Sequence, residues 1–466
     1  MRHPEGDQTP DWLETKGGRS LGDVLAWLGR HINLEAIERG VAGRLARPDL
    51  SRIRVLLAAM GDPQASAPIV HVTGTNGKGS TTRMVAALLS AQGLQVGTFT
   101  SPHLERLNER IAVAGEPISD RALGGVLEAL EELEGFLVQR GPEAGGLADP
   151  PTWFELMTAA GFRHFADVAV EAAVVEVGLG GRYDATNAAD AAVAVVTNVE
   201  LDHVDILGPT RQHIAREKAG IIKAGAVAVI GEDDPEIAQV FTEEAEAVGA
   251  SALWRRGLHF GVEANQLAHG GRMLDLRTPG ALYRDVYLSL HGAHQAENAS
   301  VALAAAEAFF GGPLEESVVA EAFGQVQVPG RLEVMGRHPL VVLDGGHNVA
   351  GAEALGAALA EDFAGARNVI VVMGCLRGRD PRALLRAVVD DRCRLVVACS
   401  PLSPRALGAD AIAEAARDLD LPVEVAGDVP AALEAATRAA TDDDLVVVTG
   451  SLYVVGEARA LLRRAS

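Results

Sequence analysis

Short apolar runs alternate with longer amphipathic stretches along the chain, the pattern of strands and helices that build a parallel α/β sheet. Pro68–Thr73 (PIVHVT) is expected as a buried strand, Lys78–Gln92 as a helix and Leu94–Thr100 as the next strand. Further on, Ala172–Val177 and Ala192–Val196 read as strands, and Arg211–Lys223 and Ala293–Phe310 as helices. The stretch Leu253–Leu290 has a different texture, with glycine pairs and short alternating runs (LHFGV, ALYRDVYLSL), and predicts an antiparallel insertion or edge. Val326–Glu333 (VQVPGRLE) reads as a linker, because Pro-Gly between two patterned regions breaks regular structure. Beyond it the runs PLVVLDGG, NVIVVMG, RLVVACS, LPVEVAG and DLVVVTG are each followed by a helical stretch. Five such units predict a second, doubly wound α/β domain.

The expected architecture is therefore α/β in two domains. Residues 1–328 would form a nucleotide-type domain with a mostly parallel sheet plus a smaller antiparallel part, and residues 329–466 a Rossmann-like domain. The length of 466 residues agrees with two large domains or about three of ordinary size. Sites are expected just after the strands, since parallel strands feeding helices open their crevice at the strand C-termini.

Composition narrows the function. Hydrophobic residues make up 48% and charged residues 22%, enough apolar material for sizeable cores. With 41 Lys+Arg against 63 Asp+Glu, the net charge is −22. That excess argues against nucleic-acid or anionic-membrane partners, which need a basic patch, but leaves anionic small molecules open. Cys375, Cys393 and Cys399 show no C-x-x-C spacing, so neither a disulfide scaffold nor a zinc site is expected, and a reducing compartment fits. The charged start MRHPEGDQTPDWLETKGG has no apolar core and no apolar run reaches 18 residues, so neither a signal peptide nor a membrane span is read. A cytoplasmic monomer is expected.

The strongest local signal is Gly74-Thr75-Asn76-Gly77-Lys78-Gly79-Ser80-Thr81, after a strand and opening a helix. Glycines let backbone N–H groups approach phosphate oxygens, the helix N-terminus favours the anion, and Lys78 adds a point charge. It is not a strict Walker loop: Val72 stands five places before Gly77, where that pattern needs glycine, and Gly79 stands where the magnesium-binding hydroxyl belongs. Other ligands must then hold the metal. Ser101, Glu176 and His203 each stand at or just beyond the end of a strand, and a serine and a glutamate suit magnesium. A histidine ligand points to manganese tolerance as well. The glycines Gly178, Gly180 and Gly181 lack the spacing of a dinucleotide fingerprint.

These segments resemble the Mur-ligase-type ATP-dependent amide ligases, and within them the folylpolyglutamate synthase/dihydrofolate synthase family. HVTGTNGKGST, TSPHLERLNERI, PTWFELMTAAGF, VVEVGLGGRYDATN, TNVELDHVDILG, IAREKAGI, HQAENASVA, PGRLE, LDGGHN and VTGSLYVVGE follow in the family order from about His71 to Glu457. The resemblance implies that residues 1–328 are a P-loop ATPase domain of the Mur central type and that ATP is a co-substrate. It implies one or two magnesium ions, the first on Ser101, Glu176 and His203. Lys218 matches a lysine carried as a carbamate that bridges to a second ion, and Lys78, Lys218 and His203 become the catalytic candidates. Asn298, Arg331, Asp344 and His347 would complete the nucleotide site, Phe154 and Asp184 would lie near the pterin, and Ser451 would serve glutamate. Tyr183, Gly346 and the segment Cys375–Asp380 depart from the family's usual leucine, alanine and lysine-bearing segment.

The implied reaction joins L-glutamate to a folate or to dihydropteroate through an acyl phosphate, with release of ADP and phosphate. A carboxylate is a poor acyl donor because oxide would have to leave, and phosphorylation by ATP removes that obstacle. Bringing a carboxylate to the γ-phosphate requires cations such as Lys78 and magnesium. Two other readings differ in kind. A cell-wall Mur ligase would carry a sizeable uridine-nucleotide domain before the loop, whereas only 73 residues, reading mostly helical, precede Gly74. A non-ligating P-loop protein would not require the second α/β domain with Asp344-Gly345-Gly346-His347-Asn348 at its first strand end.

Overall fold

The computed structural model describes residues 20–33, 35 and 49–465. The charged N-terminal start, where a leader was sought, lies outside these residues. Among the described residues two short helices come first, α1 (Leu21–Leu28) and α2 (Ser51–Ala59). The chain then builds β1 (Ile69–Thr73), α3 (Lys78–Ala91), β2 (Val96–Phe99), β3 (Ile111–Val113), β4 (Glu116–Pro117), α4 (Asp120–Arg140) and α5 (Trp153–Asp167). Next come β5 (Ala172–Glu176), β6 (Val193–Val196), α6 (Val204–Leu207), α7 (Arg211–Ala219), β7 (Val227–Ile230), α8 (Pro235–Val248) and β8 (Ala252–Arg255).

Their strands form one sheet in the order β4-β3-β2-β5-β1-β6-β7-β8, parallel from β2 to β8 with β3 and β4 turned antiparallel at one edge. The central strand β1 is buried on both faces, which is why its sequence is a nearly continuous apolar run. One face packs Val70, Val72 and Val174 against Met84 and Leu88 of α3. The other packs Phe99 and Val175 against Leu156 and Phe165 of α5, and Ala194 and Ile230 against Ile214 and Phe241 of α7 and α8.

The expected antiparallel insertion is present as a separate three-stranded sheet, β9 (Gly261–Ala268), β10 (Gly271–Arg277) and β11 (Leu282–Leu288), in the order β11-β10-β9. Its first expected residues belong elsewhere: Leu253–Arg255 pair in parallel with β7 as the edge of the main sheet. Alternation in a four-residue strand carries no sign of its partner's direction. The small sheet, α9 (His294–Phe310) and α10 (Glu316–Gln325) complete the core over α3. The helix expected to reach Lys223 ends at Ala219, where Gly220 closes it.

After the Val326–Leu332 loop come β12 (Glu333–Arg337), β13 (Leu340–Leu343), α11 (Val349–Glu361), β14 (Val369–Met373), α12 (Pro381–Val388), β15 (Cys393–Ala398), α13 (Ala409–Arg417), β16 (Val423–Val425), α14 (Val429–Ala439), β17 (Leu445–Thr449) and α15 (Leu452–Ala465). The sheet order is β12-β13-β17-β14-β15-β16, parallel except for the unexpected edge strand β12. Helices α11, α12 and α13 cover one face and α14 and α15 the other, a doubly wound arrangement. Among the described residues no helix is long and apolar enough to cross a membrane.

Candidate active site

The apolar strand β1 delivers the loop Gly74–Gly77 to the sheet edge, and α3 begins at Lys78. Gly77 is the N-cap at φ 79°, and a Cβ there would come within 2.3 Å of Asn298 Oδ1, so only glycine fits. No side chain caps the helix, which leaves its first N–H groups free to face an anion. The loop is clamped from the neighbouring strand end. Asn76 N–H donates to Asn198 Oδ1 at 2.9 Å, Thr75 N–H to the Asn198 carbonyl at 3.0 Å, and Thr197 Oγ1 to the Asn76 carbonyl at 2.6 Å. Lys78 folds back over the loop, its Nζ donating to the carbonyls of Gly74 (3.1 Å) and Thr75 (3.2 Å). Burial lowers its pKa, opposed by the carboxylates of Glu176 and Asp202.

The residues Gly74 to Ser80 line one cleft of 380 Å³ together with Ser101, Glu176, His203 and Lys218. Thr81 does not; it is buried in the first turn of α3. Glu176 reaches the cleft because β5 lies beside β1 with Glu176 opposite Val72. Its side chain is only 4% exposed, and its one hydrogen bond among the described residues comes from the Ser101 N–H at 3.0 Å. Burial raises its pKa, with the Lys78 charge pulling the other way. A buried carboxylate with lone pairs to spare, beside a serine and a histidine, is a donor set that fits a hard divalent cation. His203 takes a left-handed backbone at φ 50° and lies beside Asp202.

Lys218, in the last turn of α7, is 3% exposed, and its Nζ donates to the Gly74 carbonyl at 2.7 Å. Burial, and then the charge of Lys78, hold its pKa well below the ordinary lysine value. The shift favours the neutral, nucleophilic amine.

The C-terminal part closes the cleft. Arg331, Asp344 and His347 line it opposite Asn298. Asp344 holds the loop and first strand end together, accepting from Leu332 N–H (3.0 Å) and Gly346 N–H (2.8 Å). His347 is kept neutral by burial and by Arg379, its pKa pushed down to about 3. Asn348, the N-cap of α11, crosses to the phosphate loop, its Nδ2 donating to Asn76 Oδ1 at 2.9 Å.

Two models of Mur ligases match the chain: the middle domain over residues 143–306 and the glutamate ligase domain over 330–452. The dihydrofolate synthase/folylpolyglutamate synthase of Mycobacterium tuberculosis is 41% identical over 443 residues, covering 90% of each chain. The chain belongs to the dihydrofolate synthase/folylpolyglutamate synthase family. Among solved structures, M. tuberculosis folylpolyglutamate synthase complexed with ADP superimposes with a TM-score of 0.86 at 38% identity, covering 95% of this chain and 98% of that one. The bifunctional folylpolyglutamate synthase/dihydrofolate synthase of Yersinia pestis, complexed with AMPPNP and a Mn ion, gives 0.80 at 30% identity, covering 96% and 98%.

The residues that the family resemblance suggested for pterin and glutamate are not in the cleft lining. Phe154, at the start of α5, stacks edge-on to Phe99 at 5.9 Å and presses on Gly178, where a Cβ would meet the ring at 2.5 Å. Asp184 is buried and accepts from Leu179 N–H (2.9 Å), Thr186 N–H (3.0 Å) and Thr186 Oγ1 (2.5 Å), and so shapes the Gly178–Gly181 loop. The Thr186 hydroxyl in turn meets buried His71 Nε2 at 2.8 Å. Ser451 is buried, and its hydroxyl caps α15 at Val454 N–H (3.3 Å).

Sequence reasoning missed Asp202. Its carboxylate receives Arg379 Nη1 at 2.8 Å and lies 3.8 Å from His347 Nε2, joining the C-terminal part to the residue next to His203. The only sequence signals were a charge beside His203 and an arginine in the segment that departs from the family. Asp202→Asn and Arg379→Gln are each expected to lower kcat/KM by roughly tenfold to a hundredfold, and the double variant no further, because both break one partly buried pair. Additive losses would show that the two act separately.

Proposed function

We propose that this chain is an ADP-forming ligase that adds L-glutamate to a folate, to dihydropteroate, or to both. The observation that carries the reading is the convergence of Lys78, Glu176 and Lys218 from the main sheet with Arg331, Asp344 and His347 from beyond the linker on one cleft. A nucleotide-binding protein without a second substrate has no need of that shared wall. The division into residues 1–328 and 329–466 follows from the same linker.

The phosphate loop and the free N–H groups of α3 bind the ATP phosphates, and Lys78 offsets their charge as the acceptor's carboxylate oxygen attacks the γ-phosphorus and ADP leaves. The glutamate amine then attacks the acyl carbon, loses a proton, and phosphate departs from the tetrahedral intermediate. Ser101, Glu176 and His203 would hold a magnesium or manganese ion, with a carbamylated Lys218 at a second one, which supplies Lewis-acid neutralisation of phosphate charge. His347, neutral at working pH, can donate or accept one hydrogen bond but adds no charge.

Buried thiols at Cys375 and Cys399, each pushed up to about 12 by burial, are inert and suit a reducing cytoplasm. The chain is read as a monomer, since both halves of the cleft come from one chain.

The test is ADP release by the purified protein with ATP, L-glutamate and either dihydropteroate or tetrahydrofolate. Turnover should need glutamate and at least one pteroate-type acid, and the two acids tested apart show whether one or both are used. Turnover with neither acid, or only with a muramoyl-type acid, overturns the proposal.

A further inference from the structure

A second cavity, of 820 Å³, lies apart from the nucleotide cleft. One wall is α3 with strands β2 and β3; the other is α15, and the end of α10 with the linker residues Val326, Gln327 and Pro329 borders it. Leu104 lines it where the two parts meet. A Cβ on Gly456 would meet the Leu104 carbonyl at 2.0 Å and one on Gly330 would meet its side chain at 3.3 Å, so loop, linker and α15 touch at that residue.

The cavity contains a guanidinium with no direct partner. Arg83, on α3, is half-buried and makes no hydrogen bond or ion pair among the described residues. The acidic groups around it are engaged elsewhere. Glu109 accepts the N–H groups of Leu104 (2.7 Å), Glu105 (3.0 Å) and Arg106 (2.8 Å). Glu333 accepts Gly330 N–H at 2.7 Å and Arg459 Nε at 2.9 Å. Glu105 pairs with Arg459 and, at 3.6 Å, with Arg463, while Asp120 pairs with Arg106 at 2.6 Å. Glu176 faces the nucleotide cleft. Burial, opposed by Glu109 and Glu176, lowers the Arg83 pKa, so this charge stands partly desolvated with no carboxylate in direct contact. Beside it one part of the wall is apolar, from Ala86, Ala87, Val96, Ala112, Ile118 and Val326, while the ion-paired groups above form the rest.

We propose that this cavity is a second ligand site for a small organic anion, with an apolar or aromatic body against the alanine-rich wall and a carboxylate or phosphate on Arg83. A bidentate acid on the guanidinium supplies the direct, hydrogen-bonded partner that no carboxylate of the chain provides. The occupant touches the helix that carries Lys78, the linker and α15 at once.

The test uses the full chain with saturating ADP and magnesium, so that the nucleotide cleft is filled. The probe is anilinonaphthalene sulfonate, an aromatic anion whose fluorescence rises in an apolar site. One saturable site is expected, weakened about tenfold by Arg83→Gln through loss of a charge-assisted contact. Arg438→Gln, an exposed arginine paired with Glu424 outside the cavity lining, should leave it unchanged. Ala87→Trp should fill the cavity and remove binding while the thermal transition stays cooperative. Benzoate and phenyl phosphate are then compared as displacing ligands, and the stronger identifies the acid group. Equal binding by wild type and Arg83→Gln, or displacement by neither acid, overturns the proposal.

Discussion

Lys218→Ala is expected to lose ligation by roughly 10²–10³-fold or more, the scale of removing one preorganised electrostatic group from a reacting site. The physical reason is the environment of the amine. An ammonium at this position would stand buried, with one hydrogen bond to the Gly74 carbonyl and the Lys78 charge nearby, and its pKa is held well below the ordinary value. A neutral amine in that setting adds carbon dioxide and becomes an anionic oxygen ligand, the type of donor magnesium prefers. The native mass of the wild type should then exceed that of the bare chain by one carbon dioxide, and activity should fall in carbonate-free buffer. Acidification should also lower it, because protonation of the amine removes the form that carbamylates. Short carboxylic acids should partly restore Lys218→Ala by placing an oxygen donor in the space vacated. Full activity of Lys218→Ala in carbonate-free buffer would falsify the assignment.

Glu176→Gln should cost about 10²-fold or more in kcat while the protein folds normally. The substitution keeps the shape and the acceptor for the Ser101 N–H, so the backbone contact survives. It removes the negative charge that lies beside Lys78 and would face a cation. Manganese titration followed by paramagnetic relaxation of water separates this from a folding defect: the wild type should bind tightly with nucleotide present and Glu176→Gln weakly. Equal manganese affinity in both would move the metal away from Glu176. Because burial raises the Glu176 pKa, its charge is lost at higher pH than for an exposed glutamate, so metal affinity should fall early on acidification.

The phosphate loop and the emergence of Ser101 and Glu176 at strand ends were legible because their signals are local. A glycine-lysine run between an apolar strand and a helix declares its own backbone, and a polar residue at the end of a buried strand must emerge at the sheet edge. The partners of Asp202 were not legible. Arg379 lies 177 residues away, and an aspartate in a loop carries no mark of what will meet it. Nor did the sequence show that both oxygens of Asp184 are taken by its own loop, since that depends on how Gly178–Thr186 turns back on itself.

What the sequence determined by itself is the order of α/β units, the linker after Val326, and the residue types at the strand ends. Periodicity and glycine chemistry act over a few residues and need no distant partner. Only the tertiary structure decided which of those ends share a cleft. It placed β8 as a parallel edge strand and separated the three-stranded sheet from the main one. It brought Asn348 and Arg379 onto Asn76 and Asp202, and it left Arg83 without a direct ion pair in a cavity between two parts of the chain. These outcomes depend on long-range packing of whole layers, where the burial of apolar faces fixes positions and the polar contacts follow.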